Sequence, residues 1–200
     1  ASDVYKRQTM SGMFRDANYF NQPIGDWDVS SVTNMSNMFD DADAFNQPIG
    51  DWDVSSVTDM SGMLKESTSF NQPIGSWDVS SVTSMNGMFV ESFFDQPIGD
   101  WNVSSVTDMS GMFNAFDFNQ PIGDWNVSNV TNMQWMFGGA NSFNQPIGDW
   151  DVSSVTNMDG MFGNAYEFNQ DISNWCVTNI VSEPYSVSYT HLTLPTNIGV

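Results

Sequence analysis

The sequence predicts an α/β repeat solenoid of about seven coils. Each coil of about 25 residues is expected to carry one short parallel strand and one short helix, partly 3₁₀. Three observations predict it. Tryptophan recurs at Trp27, Trp52, Trp77, Trp101, Trp125, Trp150 and Trp175, spaced by 25, 25, 24, 24, 25 and 25 residues. All 14 methionines fall into seven M-x-x-M pairs, such as Met35/Met38 and Met60/Met63. Length varies at one place only, between M-x-x-M-F and the next phenylalanine (Phe89 to Phe94, Phe113 to Phe118), as a surface loop would allow. A fixed period of this size marks an architecture of stacked supersecondary units.

One unit, Phe20 to Ala44, reads FNQPIGDWDVSSVTNMSNMFDDADA. Within it Asp26-Trp27-Asp28-Val29-Ser30 alternates polar and apolar, the pattern of a brief strand with Trp and Val inward. Pro23 cannot donate a ladder hydrogen bond, so the stretch before it should be extended but irregular. Met35, Met38, Phe39 and Ala42 lie at i, i+3, i+4 and i+7, one face of a short helix. Thr33 stands where an N-cap belongs, and threonine holds that place in six of seven units. Glycines such as Gly62 and Gly87 inside the segment limit it to a turn or two. Gln recurs at all seven F-N-Q sites and Asn at six, Asp95 being the exception, so amides can form a ladder from coil to coil. One unit cannot bury its Trp and its Met-Met-Phe alone, whereas stacked units can. The expected core is Trp27, Trp52, Trp77, Trp101, Trp125 and Trp150 with Met35, Met38, Met60 and Met63.

The repeat occupies residues 9–181. Residues 1–8 and 182–200 do not fit it, and their stretches VYKRQ and SYTHLTLPT look like translated adapter sequence. The remainder of a longer array is therefore expected outside this chain.

Charge narrows the partners. Twenty-four acidic residues face four basic ones, a formal net charge of −20. Phosphate contacts need Lys and Arg, so nucleic acid is not expected, and docking on an anionic membrane is disfavoured for the same reason. No apolar run is long enough to span a bilayer. Eight Trp and 15 Phe argue for a folded chain despite the charge.

Catalytic chemistry finds little to work with. His191 is the only histidine and lies in the C-terminal flank, while Cys176 is the only cysteine and has no basic neighbour in sequence. Neither a triad nor a zinc site can be assembled from them, so no catalytic residue and no cofactor is expected. The acidic residues form two columns when coils stack. One holds Asp26, Asp51, Asp100, Asp124 and Asp149, with Ser76 interrupting. The other holds Asp28, Asp53, Asp78 and Asp151, with Asn102 and Asn126 between. Hard oxygen ligands at such spacing suit calcium, which makes these aspartates its candidate ligands. The rival readings are a solvated acidic face and a face that receives a cationic protein. No calcium-loop motif is present to favour the metal. The methionine pairs are phased with Phe39 and Ala42, which places them in the core rather than at a soft-metal site.

The string I-x-x-W-D-V-S-x-V-T-(N/D)-M-x-x-M-F, with F-N-Q ahead of it, resembles a 26-residue repeat of bacterial surface proteins. That repeat is a domain of unknown function found in mycoplasmal and Gram-positive surface proteins and related to BspA-like leucine-rich repeats. The resemblance covers about residues 9–181. It implies a leucine-rich-repeat-like solenoid at the cell surface or outside the cell, used for adhesion or protein binding, with no catalytic residues to carry over. The last unit departs from the pattern at Asp171, Cys176 and Val181. The function expected is a non-enzymatic interaction module for an unidentified protein ligand, with a passive spacer or a calcium-stabilised repeat as alternatives.

Overall fold

Apolar residues at fixed phase dictate which side chains turn inward, and hydrogen bonds between coils then set the register. The structure, a computed structural model, describes residues 8–115 and 117–180; the flanks 1–7 and 181–200, with His191 and the adapter-like stretches, lie outside these residues. Successive coils lie side by side in parallel. Isolated parallel bridges link Thr9 to Asn34, Asn34 to Asp59, and so on to Asn132 and Asn157.

The helix and the strand expected in each coil do not form. Among the described residues there is no helix, and the only β-structure is the row of single bridge residues. The chain is therefore not an α/β solenoid, and the leucine-rich-repeat likeness fails with it. The reason lies in where the amide groups go. In the second coil the N–H groups of Met35, Asn37, Phe39 and Asp41 donate to Asp59, Ser61, Met63 and Lys65 of the next coil, at 2.8–2.9 Å. Those of Met38, Asp40 and Ala42 close tight turns onto Met35, Asn37 and Phe39. A helix would need the same N–H groups for its own i−4 carbonyls. Two residues in this stretch also have positive φ, Asn37 at +53° and Asp41 at +58°. The same two places are left-handed in every coil but the fifth, where only Gly111 is. The i, i+3, i+4, i+7 spacing thus comes from overlapping turns that aim the same four side chains inward.

Thr33 is likewise no helix cap. From Thr58 on, each of these threonines donates both its N–H and its hydroxyl to the threonine carbonyl of the preceding coil, as Thr58 does to Thr33 at 2.8 and 3.1 Å, while Thr33 donates both to the Gln8 carbonyl. Asp26 to Ser30 carries no ladder bond. Val29 and Trp52 still turn inward from such segments, and the indole N–H of Trp52 reaches the Ile24 carbonyl of the preceding coil at 3.1 Å. Every later tryptophan in register repeats that bond, Trp175 to Ile147 being the last. The tertiary bonds satisfy the buried polar atoms, since none among the described side chains lacks a partner.

The core is continuous from coil to coil. Met35, Met38, Met60, Met63 and the phenylalanines at the M-x-x-M-F place in the central coils are fully buried. Phe39 stacks on Phe45 within its coil at 4.0 Å, and Phe45 on Phe70 across coils at 5.8 Å. Trp77, Trp101 and Trp125 are stacked at 6.4–6.5 Å. Trp52, Trp77, Trp101, Trp125 and Trp150 are buried, whereas Trp27 is 40% exposed. Trp27 belongs to the first coil to carry the tryptophan; the Phe14 ring lies beside it at 5.8 Å, and no described residue accepts its indole N–H.

Candidate interaction surface

A corner of each coil is made by P-I-G-D-W or a close variant. Glycine is required there by crowding, not by backbone angle. A Cβ on Gly75 would stand 2.5 Å from the Pro97 carbonyl oxygen of the next coil, and the other corners repeat the contact. The corner backbones therefore pack against one another and leave an open trough running across the coils. Its two stretches, about 470 and 660 Å³, meet at Gly99 and Asp100. Prolines and glycines line it together with Asp51, Asp100, Asp124 and Asp149, all four exposed. Four of the five aspartates of the first column thus share one groove. Asp26, also exposed, is not among the residues lining it.

The second column has a structural task. The carboxylate Oδ1 of Asp53 accepts the N–H and the hydroxyl of Ser55 at 3.1 and 2.6 Å, and Asp28 does the same with Ser30. Asn102 and Asn126 accept from Ser104 and Ser128 with the same geometry. One acceptor oxygen is all the turn uses, so Asp and Asn exchange freely at this place. The serine hydroxyl, then the serine N–H, hold the carboxyls of Asp28, Asp53, Asp78 and Asp151 below their ordinary pKa. Among the described residues no three of His, Cys, Asp or Glu gather in a geometry that could hold a metal ion.

The F-N-Q sites form the amide ladder, although not by amides bonding like to like. Asn21 Oδ1 accepts the Asn46 N–H and the Gln47 side-chain N–H of the next coil at 3.0 and 2.8 Å. Asp95 fits because the site needs only an acceptor, which serves Asn119 and Gln120.

The variable loop carries the positive charges of the described residues, and they are engaged. Asp40 is buried with Arg15 at 3.2 Å and Lys65 at 3.4 Å, one from each neighbouring coil. Lys65 also meets Glu66 at 2.8 Å. Asp41 sits among Asp43, Glu66, Asp16 and Asp40, and desolvation followed by these like charges raises its pKa. Cys176 is exposed, its Sγ 3.8 Å from the Thr178 hydroxyl, with no base beside it.

Sequence reasoning passed over the eighth tryptophan. Trp135 stands inside an M-x-x-M pair, where five coils have glycine and one has Asn37. Its φ is +53°, a conformation that costs an ordinary residue about 1–2 kcal/mol. The indole lies across Gly138 of its own coil and Gly160 and Gly163 of the next, and is 41% exposed. The signal for it was in the sequence: a bulky residue replaces the recurring glycine, while nearby glycines replace larger residues.

Parallel coils of one template, held by repeated bonds to the coil before and the coil after, define a repeat protein. The chain belongs to the family described as Mycoplasma protein of unknown function, DUF285, whose model matches it twice, over residues 2–94 and 90–192. A search of curated proteins and one of solved structures find no match. No helix among the described residues is long and apolar enough to cross a membrane.

Proposed function

We propose that the chain is a non-enzymatic interaction module, displayed at the cell surface or secreted, whose acidic trough receives a basic segment of a partner protein. The carrying observation is the trough itself: Asp51, Asp100, Asp124 and Asp149 line one continuous groove, and the described cations, Arg15 and Lys65, are tied to Asp40 elsewhere. Charges of one sign along a concave surface raise the local concentration of opposite charge and speed association. The resemblance of the W-D-V-S-x-V-T motif to a repeat of bacterial surface proteins supports adhesion as the setting.

A spacer is the second reading, favoured by the near-identity of the trough in every coil, since a passive rod needs no coil-specific contacts. Selection from a random peptide library on the chain and on an Asp100→Asn/Asp124→Asn/Asp149→Asn variant separates the two. The interaction reading expects Lys- and Arg-rich peptides enriched on the parent and lost on the variant, with affinity falling steeply as salt rises. No enrichment on either protein leaves the spacer standing.

A further inference from the structure

Trp135 is built into its place by three glycines. A Cβ on Gly160 would stand 2.5 Å from Cε2 of the indole, one on Gly163 2.5 Å from Cζ3, and one on Gly138 2.6 Å from Cε3. The benzene half of the ring therefore rests against backbone of two coils, and the residue is 41% exposed. Where Gly138 and Gly163 stand, the earlier coils have Arg15, Asp40, Lys65, Val90 and Asn114. Side chains that would cover the bed are missing only beneath this ring. The Trp135 residue also keeps a left-handed backbone that glycine would adopt without strain, and strain of this kind gathers at binding sites.

The surroundings name the ligand class. Gln134 precedes the ring, and Asp159 accepts the Trp135 N–H on its carbonyl at 2.9 Å. Asn164 follows Gly163, and a Cβ on Gly139 would stand 3.1 Å from the Asn114 amide oxygen. At the loop place where coils one to four carry Asp16, Asp41, Glu66 and Glu91, these coils have Gly139 and Asn164. The patch is thus a partly exposed indole whose neighbours along the chain and in the adjoining coils are mainly amides, on the least charged stretch of the M-x-x-M side. A phosphate-bearing ligand is repelled by the whole chain, and a cation would find more acid elsewhere.

We propose that Trp135 is the stacking platform of a binding site for a neutral oligosaccharide. A pyranose ring lays its C–H face on the indole, and its hydroxyls exchange hydrogen bonds with Gln134, Asn114, Asn164 and the Asp159 carboxylate. Few polar groups around an aromatic surface suffice to orient such a ligand. This site is separate from the acidic trough and does not depend on a protein partner.

Calorimetric titration of the full chain with cellohexaose, chitohexaose, maltohexaose and mannohexaose tests it, with hexa-arginine as the cationic control. At least one sugar is expected to bind with a dissociation constant below about 1 mM. Trp135→Gly, which restores the residue that five other coils carry, should fold as the parent does and weaken that sugar about tenfold or more. Gly163→Ala keeps the indole but lifts it from its bed, and should weaken the sugar as well. Binding of no sugar, or equal binding by Trp135→Gly, overturns the proposal; so does a Trp135-dependent affinity for hexa-arginine alone.

Discussion

Glycine, serine and aspartate take their roles in this protein from particular neighbours, in the next coil for Gly75 and two residues on for Asp53. Gly75 has room for hydrogen alone because the Pro97 carbonyl faces it, and a backbone oxygen cannot swing aside as a side chain would. Gly75→Ala should cost about 1–3 kcal/mol, the usual range for overpacking a filled site, read as a lower thermal midpoint. Asp53 shows a different dependence. Its carboxylate accepts from Ser55, which lowers its folded pKa. Stability from that bond is present above the unfolded pKa and lost as pH falls through the folded one. Asp53→Asn should leave the midpoint at neutral pH unchanged, because Asn102 and Asn126 already make the same turn. Below the ordinary carboxylate range the variant should lose less on acidification than the parent, as pH-dependent melts would show. Asp41 has the opposite sign: its raised pKa means that its contribution is lost as pH rises through the folded value. The acceptor role of the second aspartate column was hidden in the sequence because Asp and Asn alternate there for a purely geometric reason. The eighth tryptophan was legible, yet the strong register of the other seven drew attention inward.

At the scale of the coil, the residues expected inward are buried apart from Trp27, while the local conformation differs from the one expected. Spacing of i, i+3, i+4 and i+7 is shared by a helix and by overlapping turns that face the same core. What separates them is the recurrent left-handed pair, such as Gly62 at +61° and Glu66 at +54°, and the donation of Met60, Gly62 and Leu64 N–H groups to the next coil. Glycine at the first of these places was visible, and a helix tolerates one glycine at a cost of about 1 kcal/mol. Glutamate or aspartate at the second gave no such warning. Burial makes the tryptophans unequal. Trp101→Ala should cost about 3–5 kcal/mol, as large core deletions do. Trp27→Ala should cost clearly less, since Trp27 is 40% exposed and makes no bond like that of Trp101 to Ile74. Equal losses in chemical denaturation would show that the first coil is covered as fully as the fourth.

Over the whole molecule the net charge of −20 and the nearest-neighbour construction act together. Each coil is stabilised by the one before it and the one after it, and the acidic columns repel along the same axis. Screening should therefore raise the thermal midpoint, more as ionic strength rises. The aspartates of the second column are occupied by serine turns, and among the described residues no three of His, Cys, Asp or Glu gather in a geometry that could hold a metal ion. Calcium should accordingly shift the midpoint no more than magnesium, or than sodium chloride at matched ionic strength. A specific site held at a hundred times its dissociation constant would add about 2.7 kcal/mol, so a shift unique to calcium would return the columns to metal binding.

Sequence alone determined the period, the number of coils, the inward residues and the acidic outward face, because each is a statement about what repeats and what avoids water. Trp77, Met85, Met88 and Phe89 are buried for the reason their spacing announced. Only the tertiary structure decided that these side chains ride on turns instead of a helix. Hydrogen-bond donors choose between a partner four residues back and one a coil away, and that choice depends on how closely the next coil approaches. The same closeness made Gly75 obligatory, turned the threonines into a ladder from coil to coil, and opened a glycine bed under Trp135. Contacts between residues so far apart in the chain leave no periodic trace until the coils are laid against each other.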